Sequence, residues 1–174
     1  PGGVSRVTRG AKREKPRFHG DNIRLTVDQQ KVFEDIVADE KNVHLIFGIT
    51  GSGKTEIYMK LALNAISGGK SVIYMVPEIG LSSQTYDRLY TVFGEELVLF
   101  HSQLSVNERY KNWISFYRGE AKIAVGTRSA VFMQCPDLGL IIIDEEQDPS
   151  YKEQGSPRYN ARRVAFYRAG KEKA

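Results

Sequence analysis

Gly48-Ile49-Thr50-Gly51-Ser52-Gly53-Lys54-Thr55 is a complete G-x-x-x-x-G-K-T run, and the residues on either side of it decide the fold. Before it, Val43-His44-Leu45-Ile46-Phe47 predicts a buried strand. After it, residues 56–66 carry Ile57, Leu61 and Ala65 at helical spacing and stop at Gly68-Gly69. Strand, glycine loop and helix make the setting in which such a run cradles phosphate. Gly51 and Gly53 allow backbone N–H groups to turn toward phosphate oxygens, at the positive end of the helix. Lys54 is placed to reach the β- and γ-phosphates, and the Thr55 hydroxyl to ligate Mg²⁺. Gly48, Thr50, Ser52 and Glu56 belong to the same nucleotide-binding segment.

A second run supplies acids. Leu138-Gly139-Leu140-Ile141-Ile142-Ile143 is continuously apolar, as in a parallel strand covered on both faces, and it ends in Asp144-Glu145-Glu146-Gln147. Asp144, at the strand's carboxyl end, suits Mg²⁺ holding. Glu145 is an ionised carboxylate able to take a proton from an attacking water. Two carboxylates in tandem beside a phosphate loop favour hydrolysis over binding alone.

Composition narrows the class. A chain of 174 residues fits one domain with a proper core, after a basic flexible linker over residues 1–22. No apolar run nears the roughly 20 residues needed to span a bilayer, and no secretory signal is visible. The single cysteine, Cys135, excludes an internal disulfide and a multi-cysteine zinc site, so no zinc is expected, and a cytoplasmic setting without membrane contact follows. Net charge is +4, but residues 1–17 hold +5 and residues 158–174 another +5, which leaves −6 between them. Any nucleic-acid contact of the central part must therefore be local.

Candidate strands at 43–47, 71–76, 97–100, 122–125 and 139–143 alternate with helical patterns. Alternation predicts an α/β fold, a parallel sheet with helices on both faces, with ligands gathered at the carboxyl ends of the strands. Ser105-Val106-Asn107-Glu108 is a capping box. The stripe Val106, Tyr110, Trp113, Ile114 and Tyr117 behind it is expected to be core. Upstream, Leu25-Thr26-Val27-Asp28-Gln29 opens another helix. Its Gln29 can close a capping box with Thr26 or pair with the N6/N7 edge of adenine, and both readings stand.

Taken in order, residues 25–29, 48–56, Val76-Pro77-Glu78-Ile79-Gly80-Leu81-Ser82-Ser83-Gln84, His101-Ser102-Gln103-Leu104-Ser105, Gly126-Thr127-Arg128-Ser129-Ala130, Asp144-Glu145-Glu146 and Ser150 to Arg162 resemble superfamily-two DNA helicases of the primosomal, replication-restart family. The resemblance spans about residues 25–168. It implies a RecA-like P-loop NTPase lobe that uses ATP and Mg²⁺, with Gln29 at the adenine. It implies a single-stranded or forked DNA path along Pro77 to Gln84 and at Thr127, Arg128 and Ser129, whose donors suit phosphates. It also implies that Gln147, Tyr151, Lys152, Arg158 and Tyr159 couple DNA occupancy to hydrolysis. The family usually has histidine where Gln147 and Asn160 stand. Gln147 keeps a donor and an acceptor but cannot carry a proton's charge. A second helicase lobe supplying arginine fingers, primosome proteins and single-strand-binding protein are the partners implied. From the residues alone, a binding module with a nucleotide site that does not turn over, or a small P-loop kinase or transport ATPase, stays open.

Overall fold

A computed structural model describes residues 23–41, 43–49, 51–78 and 83–174. The basic segment over residues 1–22, Thr50 and residues 79–82 lie outside the described residues.

Four strands form a parallel sheet: β1 (Ser71–Met75), β2 (Leu97–Phe100), β3 (Ile123–Gly126) and β4 (Leu138–Ile143), in the order β2-β3-β1-β4. Every pairing is parallel, and the register sets Phe100, Gly126, Met75 and Ile143 level at one edge. All four following loops therefore leave the sheet on the same side. Alternation along the strands sorts their side chains into two cores. Val72, Tyr74, Ile123 and Val125 pack with helices α2 (Lys54–Ser67) and α3 (Ser83–Phe93). Ile73, Met75 and Ala124 pack instead with Phe116 of α4 (Val106–Tyr117) and Ala161 and Ala165 of α5 (Ala161–Glu172). Helices thus cover both faces, and the chain has the RecA-like α/β arrangement. A further helix, α1 (Val27–Ala38), leans on α2 with no fully buried residue.

Two predicted features differ from the structure. Residues 43–47 join no ladder: Leu45 and Phe47 are 76% and 96% exposed, and only Ile46 packs against a core cluster. An apolar run favours extended backbone, but a strand also needs a neighbour to take its N–H and C=O groups. No described residue does so. For the same reason β4 is an edge strand in the four-stranded sheet, and most of its residues are half-buried rather than covered on both faces. The second difference is α4, whose predicted core stripe is rotated outward: Val106, Tyr110 and Tyr117 are exposed. The face that meets the sheet is one position earlier, with Phe116 fully buried and Asn112 Nδ2 donating to the Leu99 carbonyl at 2.9 Å. Trp113 stacks on Tyr117, with ring centroids 5.3 Å apart.

Arg168 of α5 ties the second core together. Its Nη1 donates to the Val131 and Met133 carbonyls at 2.6 and 2.7 Å, and its Nε to Glu172 at 2.8 Å. Arg168→Met is expected to strand those two carbonyls and to cost on the order of 3 kcal/mol. Urea unfolding checks it, and a change below about 1 kcal/mol would show that water replaces the guanidinium.

Candidate nucleotide site

Gly53, at φ +79°, caps α2 in the left-handed region, and Lys54 opens the helix. A Cβ on Gly53 would strike the Gln29 amide. The contact explains the position: Gln29 Nε2 donates to the Ser52 carbonyl at 3.0 Å, while its Oε1 accepts from the Thr26 N–H at 2.9 Å. The capping box is present, and the other end of the same amide holds the phosphate loop. Lys54 folds over that loop, donating from Nζ to the Gly48 carbonyl at 2.6 Å and the Ile49 carbonyl at 3.2 Å. Glu56, one turn in, receives a forked pair from Arg88 of α3 at 2.8 and 2.9 Å, which joins the two helices of this face.

Asp144 leaves the end of β4 beside this loop. Burial raises the pKa of its carboxyl above the usual range, while the Lys54 ammonium and two hydrogen bonds work against the shift. Those bonds come from the Glu145 N–H at 3.0 Å and from the Tyr74 hydroxyl at 3.3 Å. A desolvated carboxylate with a lysine nearby is short of positive charge, and a divalent cation would supply it. Thr55 and Asp144 are two oxygen donors, which suits Mg²⁺, an ion that keeps waters and phosphate oxygens as its other ligands. No group of three or more His, Cys, Asp or Glu that could hold a metal occurs among the described residues.

The raised pKa has a consequence with a definite sign. Folded Asp144 holds its proton more tightly than the unfolded chain does. Its protonation therefore favours the fold below its ordinary value of 3.8, and this contribution is lost as pH rises through the raised folded value. Asp144→Asn is expected to raise the melting temperature of the nucleotide-free chain at neutral pH, with the gain vanishing in acid. A melting temperature unchanged at both pH values would mean the charge is already compensated.

Glu145 stands in the left-handed region at φ +45°, unusual for a residue with a Cβ. Gln147 Nε2 donates to its carboxylate at 2.7 Å, and Asp148 N–H donates to its carbonyl at 2.9 Å. The turn therefore aims the carboxylate and Gln147 holds it with a neutral donor. Gln147→His is expected to introduce a rate change between about pH 6 and 7 that the native residue lacks, because imidazole titrates there. A pH–rate profile of the same shape would refute it.

Tyr151 is 1% exposed and its hydroxyl donates to the Asp144 carbonyl at 2.7 Å. Buried so, it has no face to offer a base, and of the two tyrosines in this loop only the half-buried Tyr159 retains any exposed surface. Its ring meets Phe132 edge-on at 4.9 Å. Burial also raises the Tyr151 hydroxyl pKa far above the ordinary value, and pushes that of Tyr58 up to about 12. The loop after β4 is a built element: a 3₁₀ turn (Pro149–Tyr151), then the antiparallel pair β5 (Lys152–Glu153) and β6 (Tyr159–Asn160). Lys152 and Arg158 are exposed on it. Asn160 caps α5, its Oδ1 accepting from the Arg162 and Arg163 N–H groups at 3.0 and 3.4 Å.

The 127–129 segment follows β3 across the same edge. A Cβ on Gly126 would collide with the Phe100 carbonyl, so glycine permits the close approach there. Thr127 is buried and its hydroxyl makes no cap bond to the 3₁₀ turn over Arg128–Phe132. Ser129 is half-buried, Pro77 buried, and Gln84 exposed on the first turn of α3.

The DEAD/DEAH box helicase family profile matches residues 26–167, most of the chain. The chain belongs to the DEAD/DEAH box helicases. Among helicases it is similar to replication restart protein PriA of Bacillus subtilis, 44% identical over 149 residues, 83% of this chain and 18% of that protein. The PriA of Helicobacter pylori strain J99 is 51% identical over 71% of the chain and 20% of its own length. That of Haemophilus influenzae is 44% identical over 90% and 22%. The chain thus spans about a fifth of the length of the curated relatives it matches. No helix among the described residues is long and apolar enough to cross a membrane.

Two residues that bond to the acids after β4 escape sequence reading. Tyr74 is the one aromatic in β1, Ser71-Val72-Ile73-Tyr74-Met75, and that is its only signal. Arg162 reaches back from α5 to the Glu146 carbonyl at 3.0 Å and the Glu146 carboxylate at 2.8 Å, a pairing no local pattern announces.

Proposed function

We propose that this chain is the nucleotide-binding motor lobe of a 3′-to-5′ DNA helicase that hydrolyses ATP and serves replication restart. The reading rests above all on Lys54 and the Asp144–Glu145 pair meeting at the carboxyl edge of the sheet, close enough for the Lys54 charge to act on Asp144. In it, ATP leaves its phosphates on residues 48–55, and Lys54 exchanges the Gly48 and Ile49 carbonyls for phosphate oxygens. The adenine lies near Gln29. Thr55 and Asp144 hold Mg²⁺, which supplies charge neutralisation at the phosphates. Glu145, aimed by its left-handed backbone and steadied by Gln147, takes the proton of the attacking water. Single-stranded DNA runs along Gln84, Arg128 and Ser129, with the buried Pro77 and Thr127 shaping the loops beneath it rather than touching it, and with Lys152, Arg158 and Tyr159 flanking it. Tyr151 joins that path to Asp144.

The PriA resemblance and the one-fifth coverage support a two-lobe motor in which another lobe supplies the arginine finger, and they point to primosome proteins and single-strand-binding protein as partners. An arginine finger is worth on the order of 10³–10⁵ in kcat. The 174-residue chain alone is therefore expected to bind ATP weakly and to turn it over barely, without stimulation by DNA, whereas the intact protein is stimulated and unwinds a 3′-tailed duplex. Vigorous DNA-stimulated hydrolysis by the chain alone would overturn the two-lobe reading. Failure of the intact protein to hydrolyse ATP would overturn the enzyme.

A further inference from the structure

Arg128 is already occupied. Its Nη2 lies 2.7 Å from Glu153 Oε2 and 3.9 Å from Glu78 Oε1, and its Nη1 donates to the Ser150 carbonyl at 3.1 Å. The loops after β1, β3 and the 3₁₀ turn following β4 therefore meet on one guanidinium. Arg128 and Glu153 are both about one-quarter exposed, so the pair is partly shielded rather than rim-like. Glu153 also lines a cleft of about 520 Å³ with Lys152, Gln154, Arg158, Tyr159 and Asn160. Two exposed cations frame that cleft, and the one acid in its wall is the acid that holds Arg128.

We propose that the Arg128–Glu153 pair is a latch which a DNA phosphate displaces, so that Glu153 sets the DNA dependence of the site. The inference rests on the DNA path proposed above. A guanidinium fork donates to carboxylates and phosphates alike; here Glu153 holds Nη2 through one oxygen and the Ser150 carbonyl holds Nη1, so a phosphate bound to both nitrogens would take both places. While Glu153 is in place, its carboxylate keeps backbone phosphates out and holds β5 against the loop after β3. A phosphate drawn in by Lys152 and Arg158 exchanges for Glu153 on Arg128 and frees Ser150 from Nη1. Ser150 is the neighbour of Tyr151, whose hydroxyl rests on the Asp144 carbonyl. Release of the latch thus reaches the nucleotide acids over two residues of chain and one hydrogen bond. Glu153 is a positioning residue in this scheme, acting through Arg128.

The test is the affinity of the 174-residue chain for a fluorescein-labelled oligothymidylate, by anisotropy across a salt series, with amide exchange at residues 150–153 read alongside. Glu153→Gln is expected to tighten binding about fivefold and to steepen the log–log salt slope by about 0.7, the value of one added phosphate contact on a single strand. Amide exchange at 150–153 should rise about tenfold without DNA, and in the native chain only when DNA is added. In an Arg128→Gln background, Glu153→Gln should change affinity by less than about twofold, since the partner it competes for is gone. An equal gain in both backgrounds would reduce Glu153 to a general negative charge and overturn the latch while leaving the DNA path standing. Binding unaffected by Glu153→Gln would do the same. Absence of oligothymidylate binding by every variant would overturn the DNA path and the latch together.

Discussion

Glu145→Gln is expected to leave ATP bound and to slow its hydrolysis by about 10²–10⁴, the usual worth of a positioned general base. The substitution keeps the shape of the side chain, so the left-handed turn and the Asp148 N–H bond to the Glu145 carbonyl persist. Lys54→Ala is the complement. It removes the ammonium now held by the Gly48 and Ile49 carbonyls and should weaken ATP binding by about 10- to 100-fold, as expected for a lost charge-assisted contact. Calorimetry for binding and phosphate release for turnover separate the two in the intact protein. Undiminished affinity in Lys54→Ala would sink the phosphate-loop assignment, and undiminished turnover in Glu145→Gln would move the base elsewhere.

Lys54 at the head of the second helix and Asp144 just past the fourth strand stand where the sequence reading puts them, because both follow from local pattern. A glycine at left-handed φ followed by a lysine and a threonine marks a helix start even where, as here, residues 43–47 form no strand before it. The parallel sheet is legible for a similar reason, since the apolar runs at β1 to β4 alternate with helical spacing. What lies beyond local pattern is partnership. Residues 43–47 read as a strand, yet a ladder is a property of two segments, and none of the described residues supplies the second. The stripe that spacing predicts for α4 lies one position too far round. A helix over an edge strand is half covered, so Tyr110 and Tyr117 can be aromatic and exposed while Asn112 turns inward to bond the Leu99 carbonyl. Tyr74, Arg162 and Arg168 escape for the same cause. Each acts on a carboxylate or carbonyl from 16 to 70 positions away, and spacing carries no mark of such a contact. Gln29 is the intermediate case: its capping box is written in residues 26–29, and its hold on the Ser52 carbonyl is not.

Tyr151 gives the second large effect, and two substitutions divide its roles. Tyr151→Ala empties a fully buried site among Met75, Ala130, Ala161 and Ala165, and should cost about 3–5 kcal/mol of stability. Tyr151→Phe keeps the ring and removes only the hydroxyl that holds the Asp144 carbonyl, so about 1 kcal/mol is at stake. Stability alone would rank the phenylalanine variant as mild. If Tyr151 joins the DNA path to the nucleotide acids, however, Tyr151→Phe should lower the DNA-stimulated ATPase rate about fivefold while the DNA-free rate holds. Arg158→Ala is expected to act in the same direction without loss of stability, because Arg158 is exposed. A surface-loop role for residues 148–160 predicts no change in either rate for Arg158→Ala. Equal falls in both rates for Tyr151→Phe would assign the hydroxyl to holding Asp144 in place whatever the DNA does, and coupling would then have to pass by another route.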